Sequence, residues 1–257
     1  MERGLKMELQ TPYVKYESRV TENGYKLLCF PYAGGGASYY ARWQKQMGTE
    51  IEILPVQLPG RENRVREALL HSCTEIVDQV VTALLPYLQT GNFSIFGHSM
   101  GGILGFEVAK RLEQLQVFPQ VCFISATSAE KDCEFESCNN LSEDAFFDRV
   151  AKYGAVDKNS GILKFPEFRA IYMKILRADF DVIEKYKISK KKIQCPIVAM
   201  CGDCDPMENL EKMHDWEHYT NSRVLYQQYS GDHFYLAQNL PRICMDIRDS
   251  ISYLQEK

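Results

Sequence analysis

Phe93-Ser94-Ile95-Phe96-Gly97-His98-Ser99-Met100-Gly101-Gly102 is an apolar run that turns through glycine, serine and glycine into a helix-like stretch, Ile103 to Leu115. A strand that turns this sharply into a helix holds its central residue in strained backbone geometry, and the flanking positions must be small for the turn to close. Gly97 and Gly101 supply that room, and Gly102 adds more. The hydroxyl of Ser99 then projects from the carboxyl end of a sheet, beside a helix N-terminus whose free N–H groups favour developing negative charge. Ser99 is therefore the candidate nucleophile. A glycine-rich turn can also merely join a strand to a helix; the flanking strand and helix favour the functional reading.

The same alternation extends in both directions. Short apolar runs recur at Lys26-Leu27-Leu28-Cys29-Phe30, Ile51-Glu52-Ile53-Leu54, Val121-Cys122-Phe123-Ile124, Ile197-Val198-Ala199-Met200 and Val224-Leu225-Tyr226. They read as strands, most of them buried on both faces. Helical patterns lie between them, at Tyr39 to Met47, Cys73 to Leu88 and Ile103 to Leu115. Strands alternating with helices predict an α/β fold with a mostly parallel central sheet flanked by helices. One interval breaks the rhythm. From about Thr127 to Lys192 the sequence shows helix-like segments only, Ser142 to Tyr153 and Pro166 to Tyr186, and Ser142 is a candidate N-cap for the first. This interval reads as a helical insertion. Its aromatics, Phe146, Phe147, Phe165, Phe168, Tyr172 and Phe180, either fill the core beneath the helices or form the apolar wall of a lid over a substrate chamber.

A serine hydroxyl is a weak nucleophile until an oriented base removes its proton. Of the five histidines, His98 lies inside the elbow strand, where its side chain should point away from the serine. His71 is in a polar connection, and His214 and His218 are four apart in a charged segment. His233 lies in Ser230-Gly231-Asp232-His233-Phe234, directly after the last strand, where a loop at the carboxyl edge of the sheet can reach Ser99. The acid that orients this base should fall between serine and histidine in chain order. The strand Ile197 to Met200 runs into Cys201-Gly202-Asp203-Cys204-Asp205-Pro206. Asp205 is favoured, because Pro206 holds its backbone extended, whereas Asp203 directly follows Gly202 and can simply close the turn. Asp179 and Asp181 are earlier alternatives inside the insertion.

Charge that accumulates on the carbonyl oxygen during attack requires hydrogen-bond donors. The backbone N–H of Met100, next after the nucleophile, is one. Phe30-Pro31-Tyr32-Ala33-Gly34-Gly35-Gly36, the loop after an early strand, supplies the other from the N–H of Ala33. That loop lacks the glycine spacing of a dinucleotide site and the Lys-Ser/Thr ending of a P-loop. A second decoy is Cys201-x-x-Cys204 followed by His214-x-x-x-His218. Its ligand types suit zinc, but the spacing is shorter than in the usual finger and Cys201 ends a core strand. No metal is expected.

Composition narrows the remaining choices. At 257 residues the chain fits one large domain, residues 1–257, with no linker marked. A net charge of −4 argues against a general nucleic-acid binder, and Lys190-Lys191-Lys192 reads as a solvated loop. Met1 to Gln10 carries scattered charges without a signal-like apolar stretch, and no run approaches a membrane span. Nine cysteines, an odd number spread through the strands, suit buried thiols in a reducing compartment. A cytoplasmic monomer without membrane attachment is expected.

Taken together, four motifs carry a family resemblance: Phe30-Pro31-Tyr32-Ala33-Gly34-Gly35, Gln57-Leu58-Pro59-Gly60-Arg61-Glu62, Gly97-His98-Ser99-Met100-Gly101-Gly102 and Gly231-Asp232-His233-Phe234. In order and spacing they resemble the stand-alone type II thioesterases of non-ribosomal peptide and polyketide synthesis, and the related medium-chain thioesterase of animal fatty acid synthesis. The elbow motif is shared by many hydrolases, while Leu-Pro-Gly-Arg-Glu is much more specific. The resemblance implies an α/β-hydrolase fold, a Ser99–His233–Asp205 triad and a helical lid over about 127–192. It also implies a substrate carried as a thioester on the phosphopantetheine arm of an acyl or peptidyl carrier protein, with no cofactor of the enzyme's own. Arg61 and Glu62 suggest a structural ion pair. The cysteine-rich segment ending at Cys204 and the extension before Leu27 depart from the pattern without touching the triad. Two other readings compete: a generic carboxylesterase or lipase, which would prefer oxygen esters, and a catalytically silent interaction module, which would show a degenerate triad.

Overall fold

The computed structural model describes residues 11–14, 24–130, 137–138, 140–152 and 165–255. Six strands form one sheet: β1 (Tyr25–Phe30), β2 (Ile51–Pro55), β3 (Phe93–His98), β4 (Cys122–Ser125), β5 (Ile197–Gly202) and β6 (Val224–Tyr229). They lie in the order β2-β1-β3-β4-β5-β6, and every neighbouring pair is parallel. All six are the apolar runs singled out above. β3, β4 and β5 are buried along their whole length, which explains their continuous apolar character: helices cover a parallel sheet on both faces, so neither face can be polar.

Alternation along each strand divides the core in two. On one face Leu28, Phe30, Ile95, Ile124 and Ala199 meet the apolar sides of α3 (Cys73–Leu88) and α4 (Met100–Gln114). On the other, Leu27, Cys29, Phe96, Phe123, Val198 and Met200 meet Tyr40, Trp43 and the apolar side of α8 (Leu236–Gln255). Tyr40 lies in the short helix α1 (Ala37–Ala41), and Trp43 is the N-cap of a second one, α2 (Gln44–Met47). A single helix from Tyr39 to Met47 was expected. The chain instead turns at Arg42 and Trp43, which brings the Trp43 ring onto Phe96 with centroids 4.9 Å apart.

Between β4 and β5 the described residues hold two helices, α5 (Glu143–Lys152) and α6 (Pro166–Lys185). Ser142 Oγ accepts from the N–H of Ala145 at 3.3 Å, the capping contact read from the sequence. Tyr153 and residues 154–164 of the expected insertion lie outside the described residues, as do 131–136 and 139. The aromatics of this region divide between core and surface. Phe146 and Phe180 are buried and meet edge to face at 5.4 Å, whereas Phe165 and Phe168 are 60% and 54% exposed. A short helix, α7 (Leu210–Met213), follows β5. No described helix is long and apolar enough to cross a membrane.

Candidate active site

Ser99 stands between β3 and α4 with φ 54° and ψ −121°, a conformation that side chains rarely adopt and that costs energy to hold. The turn is held by the Ser99 N–H, which donates to the Ser125 carbonyl at 2.7 Å, and by the Gly102 N–H, which donates to the Ser99 carbonyl at 2.8 Å. Glycine at both flanks is a steric requirement. A Cβ on Gly97 would fall 1.9 Å from the Gly101 carbonyl oxygen, and one on Gly101 would fall 2.4 Å from that of Phe30. α4 therefore begins at Met100, three residues earlier than the apolar pattern indicates, because the elbow itself starts the helix.

His233 and Asp205 meet beside this turn. His233 Nδ1 lies 2.8 Å from Asp205 Oδ2, and since a carboxylate can only accept, the ring nitrogen donates. The Asp205 side chain is fully buried and that of His233 is 7% exposed. The other carboxylate oxygen of Asp205 accepts from the N–H of Met207 at 2.8 Å and of Glu208 at 3.3 Å, so the acid is fixed by its own loop. Asp203, two residues earlier, closes the turn instead: it accepts from the Gly231 N–H at 2.8 Å, which holds its carboxyl below the ordinary value. The earlier alternatives are engaged elsewhere. Asp179 pairs with Arg61, and Asp181 with His71 and Lys185.

The loop after β1 lies against the elbow. Within it the Gly35 N–H donates to the Tyr32 carbonyl at 2.8 Å and the Gly34 N–H to Asp179 Oδ2 at 2.7 Å. Ala33 precedes these two occupied donors, and Met100 occupies the first helical position of α4, where N–H groups have no intrahelical partner. Glu62 turns back to the first turn of α1, its carboxylate accepting from the Ser38 hydroxyl at 2.5 Å.

Three features escaped the sequence reading. His98 does not stand clear of the site: its ring packs 5.3 Å from that of His233, and its Nδ1 lies 2.8 Å from Ser125 Oγ, which in turn contacts the Tyr235 hydroxyl at 2.6 Å. Burial and the neighbouring His233 push the His98 imidazole well below its ordinary value, so it stays neutral. Tyr32 and Phe234 meet edge to face at 5.1 Å and form an aromatic wall beside the two histidines. Glu208 follows Asp205 on the same loop, and its Oε2 is buried with no hydrogen-bond partner among the described residues. Burial pushes this carboxyl up to about 7. None of these contacts has a local sequence signal beyond the position of its residues in the glycine-containing motifs.

The cysteine and histidine pairs do not converge. Cys201 is buried at the end of β5, and burial pushes its thiol up to about 11. Cys204 is exposed, and the His214 ring lies tilted against that of Tyr226, centroids 4.2 Å apart. The described residues contain no cluster of three or more His, Cys, Asp or Glu placed to hold a metal.

With this geometry in place, known proteins provide a comparison. Residues 25–251 match the family model described as a thioesterase domain. The chain is 34% identical over 228 residues to thioesterase PikA5 of Streptomyces venezuelae, covering 88% of this chain and 80% of that protein. It is 31% identical over 221 residues to the medium-chain S-acyl fatty acid synthase thioesterase of Rattus norvegicus, covering 83% and 82% respectively. Among solved structures, the type II thioesterase BorB from the borrelidin biosynthetic cluster superposes with a TM-score of 0.79 at 26% identity, over 89% of this chain and 93% of that one.

Proposed function

This chain belongs to the thioesterase domain family, with the α/β-hydrolase fold and thioester hydrolysis that membership entails, and on that premise we propose that it removes acyl or aminoacyl groups from the phosphopantetheine arm of carrier proteins. The work would be clearing stalled or misprimed synthases or releasing finished chains. The observation that carries the chemistry is the buried Asp205–His233 contact of 2.8 Å beside the positive-φ elbow of Ser99.

In this reading Ser99, His233 and Asp205 form the triad. Asp205 accepts a hydrogen bond from the Nδ1–H of His233, which keeps the proton there and leaves Nε2 free to act as base. Ser99 Oγ attacks the thioester carbonyl carbon while His233 takes its proton. Negative charge gathers on the carbonyl oxygen, and the N–H groups of Ala33 and Met100 receive it. Collapse expels the pantetheine thiolate, which takes the proton from His233 and leaves an ester on Ser99. Water, deprotonated by His233, attacks that ester. The acid departs, the proton returns to Ser99, and no cofactor is consumed.

The insertion over about 127–192 would act as a lid, with Phe165, the N-cap of α6, and Phe168 within it both exposed. We take the whole chain as one domain and a monomer. Cys29, Cys122, Cys195, Cys201 and Cys244 are buried as free thiols, which suits a reducing cytoplasm. A second reading, termination of medium-chain fatty acyl synthesis, draws on the likeness to the rat enzyme.

The test is to offer one acyl group to the wild-type enzyme in three forms: as a carrier-protein thioester, as a small-molecule thioester and as an oxygen ester. Strong preference for the carrier-bound form is expected. Equal or better turnover of the oxygen ester would move the protein to the general esterases.

A further inference from the structure

Arg61 and Asp179 lie 118 residues apart in sequence and form a two-pronged buried pair: Nη1 donates to Oδ2 at 2.8 Å and Nη2 to Oδ1 at 2.7 Å, with side chains 4% and 0% exposed. Each partner also grips the glycine loop that follows β1. Asp179 Oδ2 accepts from the Gly34 N–H at 2.7 Å, and Arg61 Nη1 donates to the Gly35 carbonyl at 3.1 Å. The Gly34 N–H belongs to the peptide unit that joins Ala33 to Gly34, so a carboxylate fixed on that N–H fixes the plane directly after Ala33. α6 also presses on the loop through apolar and aromatic contact. A Cβ on Gly34, whose φ is +78°, would fall 2.7 Å from the Tyr172 hydroxyl and 2.8 Å from Leu176 Cδ2, both on α6.

A fold staple alone is a weak explanation for this arrangement. A buried ion pair commonly gives no more stability than apolar residues of the same volume, because both charges lose their hydration. Here both charges are spent on two consecutive glycines of one loop, next to the residue assigned as an oxyanion donor.

We propose that Asp179 and Arg61 are positioning residues for the oxyanion hole, holding the Ala33 N–H at its working angle when α6 is seated on the glycine loop. The proposal rests on the assignment of Ser99 and Ala33 given above. It makes the insertion more than a cover, since the helix that shelters the acyl group also sets the donor that stabilises the transition state. Misplacing a catalytic donor by about 1 Å costs roughly a hundredfold in rate, and losing one donor outright costs about 10² to 10³.

Two variants test it, Asp179→Asn, which keeps the shape of the side chain, and Arg61→Lys, which keeps the buried charge and so favours an intact fold while losing the forked hold. For each, kcat and KM for an acyl thioester are measured, together with the inhibition constant of an alkyl trifluoromethyl ketone. That ketone forms a tetrahedral adduct on serine and puts an oxyanion in the hole. The expected result is a fall in kcat of about tenfold to a hundredfold, a matching weakening of the ketone, and KM within a few-fold of wild type. Folded variants that lose only melting temperature, with kcat and ketone inhibition within twofold of wild type, would overturn the proposal. Ser99→Ala is assayed beside them. Should it retain wild-type turnover, the assignment of the site fails, and that outcome is distinct from failure of the Arg61–Asp179 proposal.

Discussion

Asp205 and Asp203 share one loop, two residues apart, and hold opposite ends of the site: Asp205 accepts from His233 Nδ1 at 2.8 Å, while Asp203 accepts from the Gly231 N–H at 2.8 Å. Only the first can orient an imidazole. Asp205→Asn leaves the loop nearly unchanged in shape but favours the wrong histidine tautomer, and a loss of turnover of roughly 10³ to 10⁴ is expected. Asp203→Asn removes a charge from an exposed turn, and a loss of less than about fivefold is expected. Steady-state rates of the two variants on one acyl thioester check this, and the reverse order would transfer the acid's role to Asp203.

Glu208 makes stability depend on pH. Its carboxyl titrates at about 7 in the folded chain against 4.5 ordinarily, chiefly because burial disfavours the anion; nearby Asp205 adds to the effect, while Ser128, Lys212 and His233 oppose it. Between these two values the folded chain holds a proton that the unfolded chain has lost, so stability is greatest at low pH and falls as pH rises from 4.5 through 7. The whole effect is of order 3 kcal/mol. Glu208→Gln carries no such proton. Its unfolding free energy, from urea titrations between pH 5 and pH 8, is expected to vary less than that of wild type and to exceed it at pH 8 by about 1–3 kcal/mol. An unchanged slope would contradict the burial of this carboxyl.

The insertion contains both core and surface aromatics, and truncation separates them. Phe146 is fully buried against Phe180, so Phe146→Ala is expected to cost about 3–5 kcal/mol of stability. Phe168 is 54% exposed, and Phe168→Ala is expected to cost less than about 1 kcal/mol. Urea unfolding of the two variants gives both values. Equal losses would mean that Phe168 is covered in solution.

The parts of this architecture that follow from local pattern are legible in the sequence. Strands covered on both faces have little room for polar residues, so β3, β4 and β5 stand out as apolar runs. The elbow declares itself because two backbone approaches exclude any side chain at Gly97 and Gly101. The bounds of α3 were read correctly from its apolar spacing. The parts that escaped depend on distant pairs. Arg61 suggests an ion pair, but nothing near it in sequence names Asp179, whose residue type fits a catalytic acid equally well. His98 gave no sign of its contacts with Ser125 and His233, because strand alternation predicts a side and not a neighbour. The break between α1 and α2 follows from where Trp43 can reach Phe96, a tertiary demand with no local marker.

The central claim is that Ser99 carries the acyl group, and removing its hydroxyl tests this most directly. Turnover of a carrier-bound acyl thioester by Ser99→Ala is measured alongside the circular dichroism spectrum that shows the fold intact. A fall of at least about 10⁴ in kcat is expected, because triad members act as a unit and the rest of the site cannot substitute for the nucleophile. A folded Ser99→Ala enzyme that keeps a tenth or more of wild-type turnover would contradict the account.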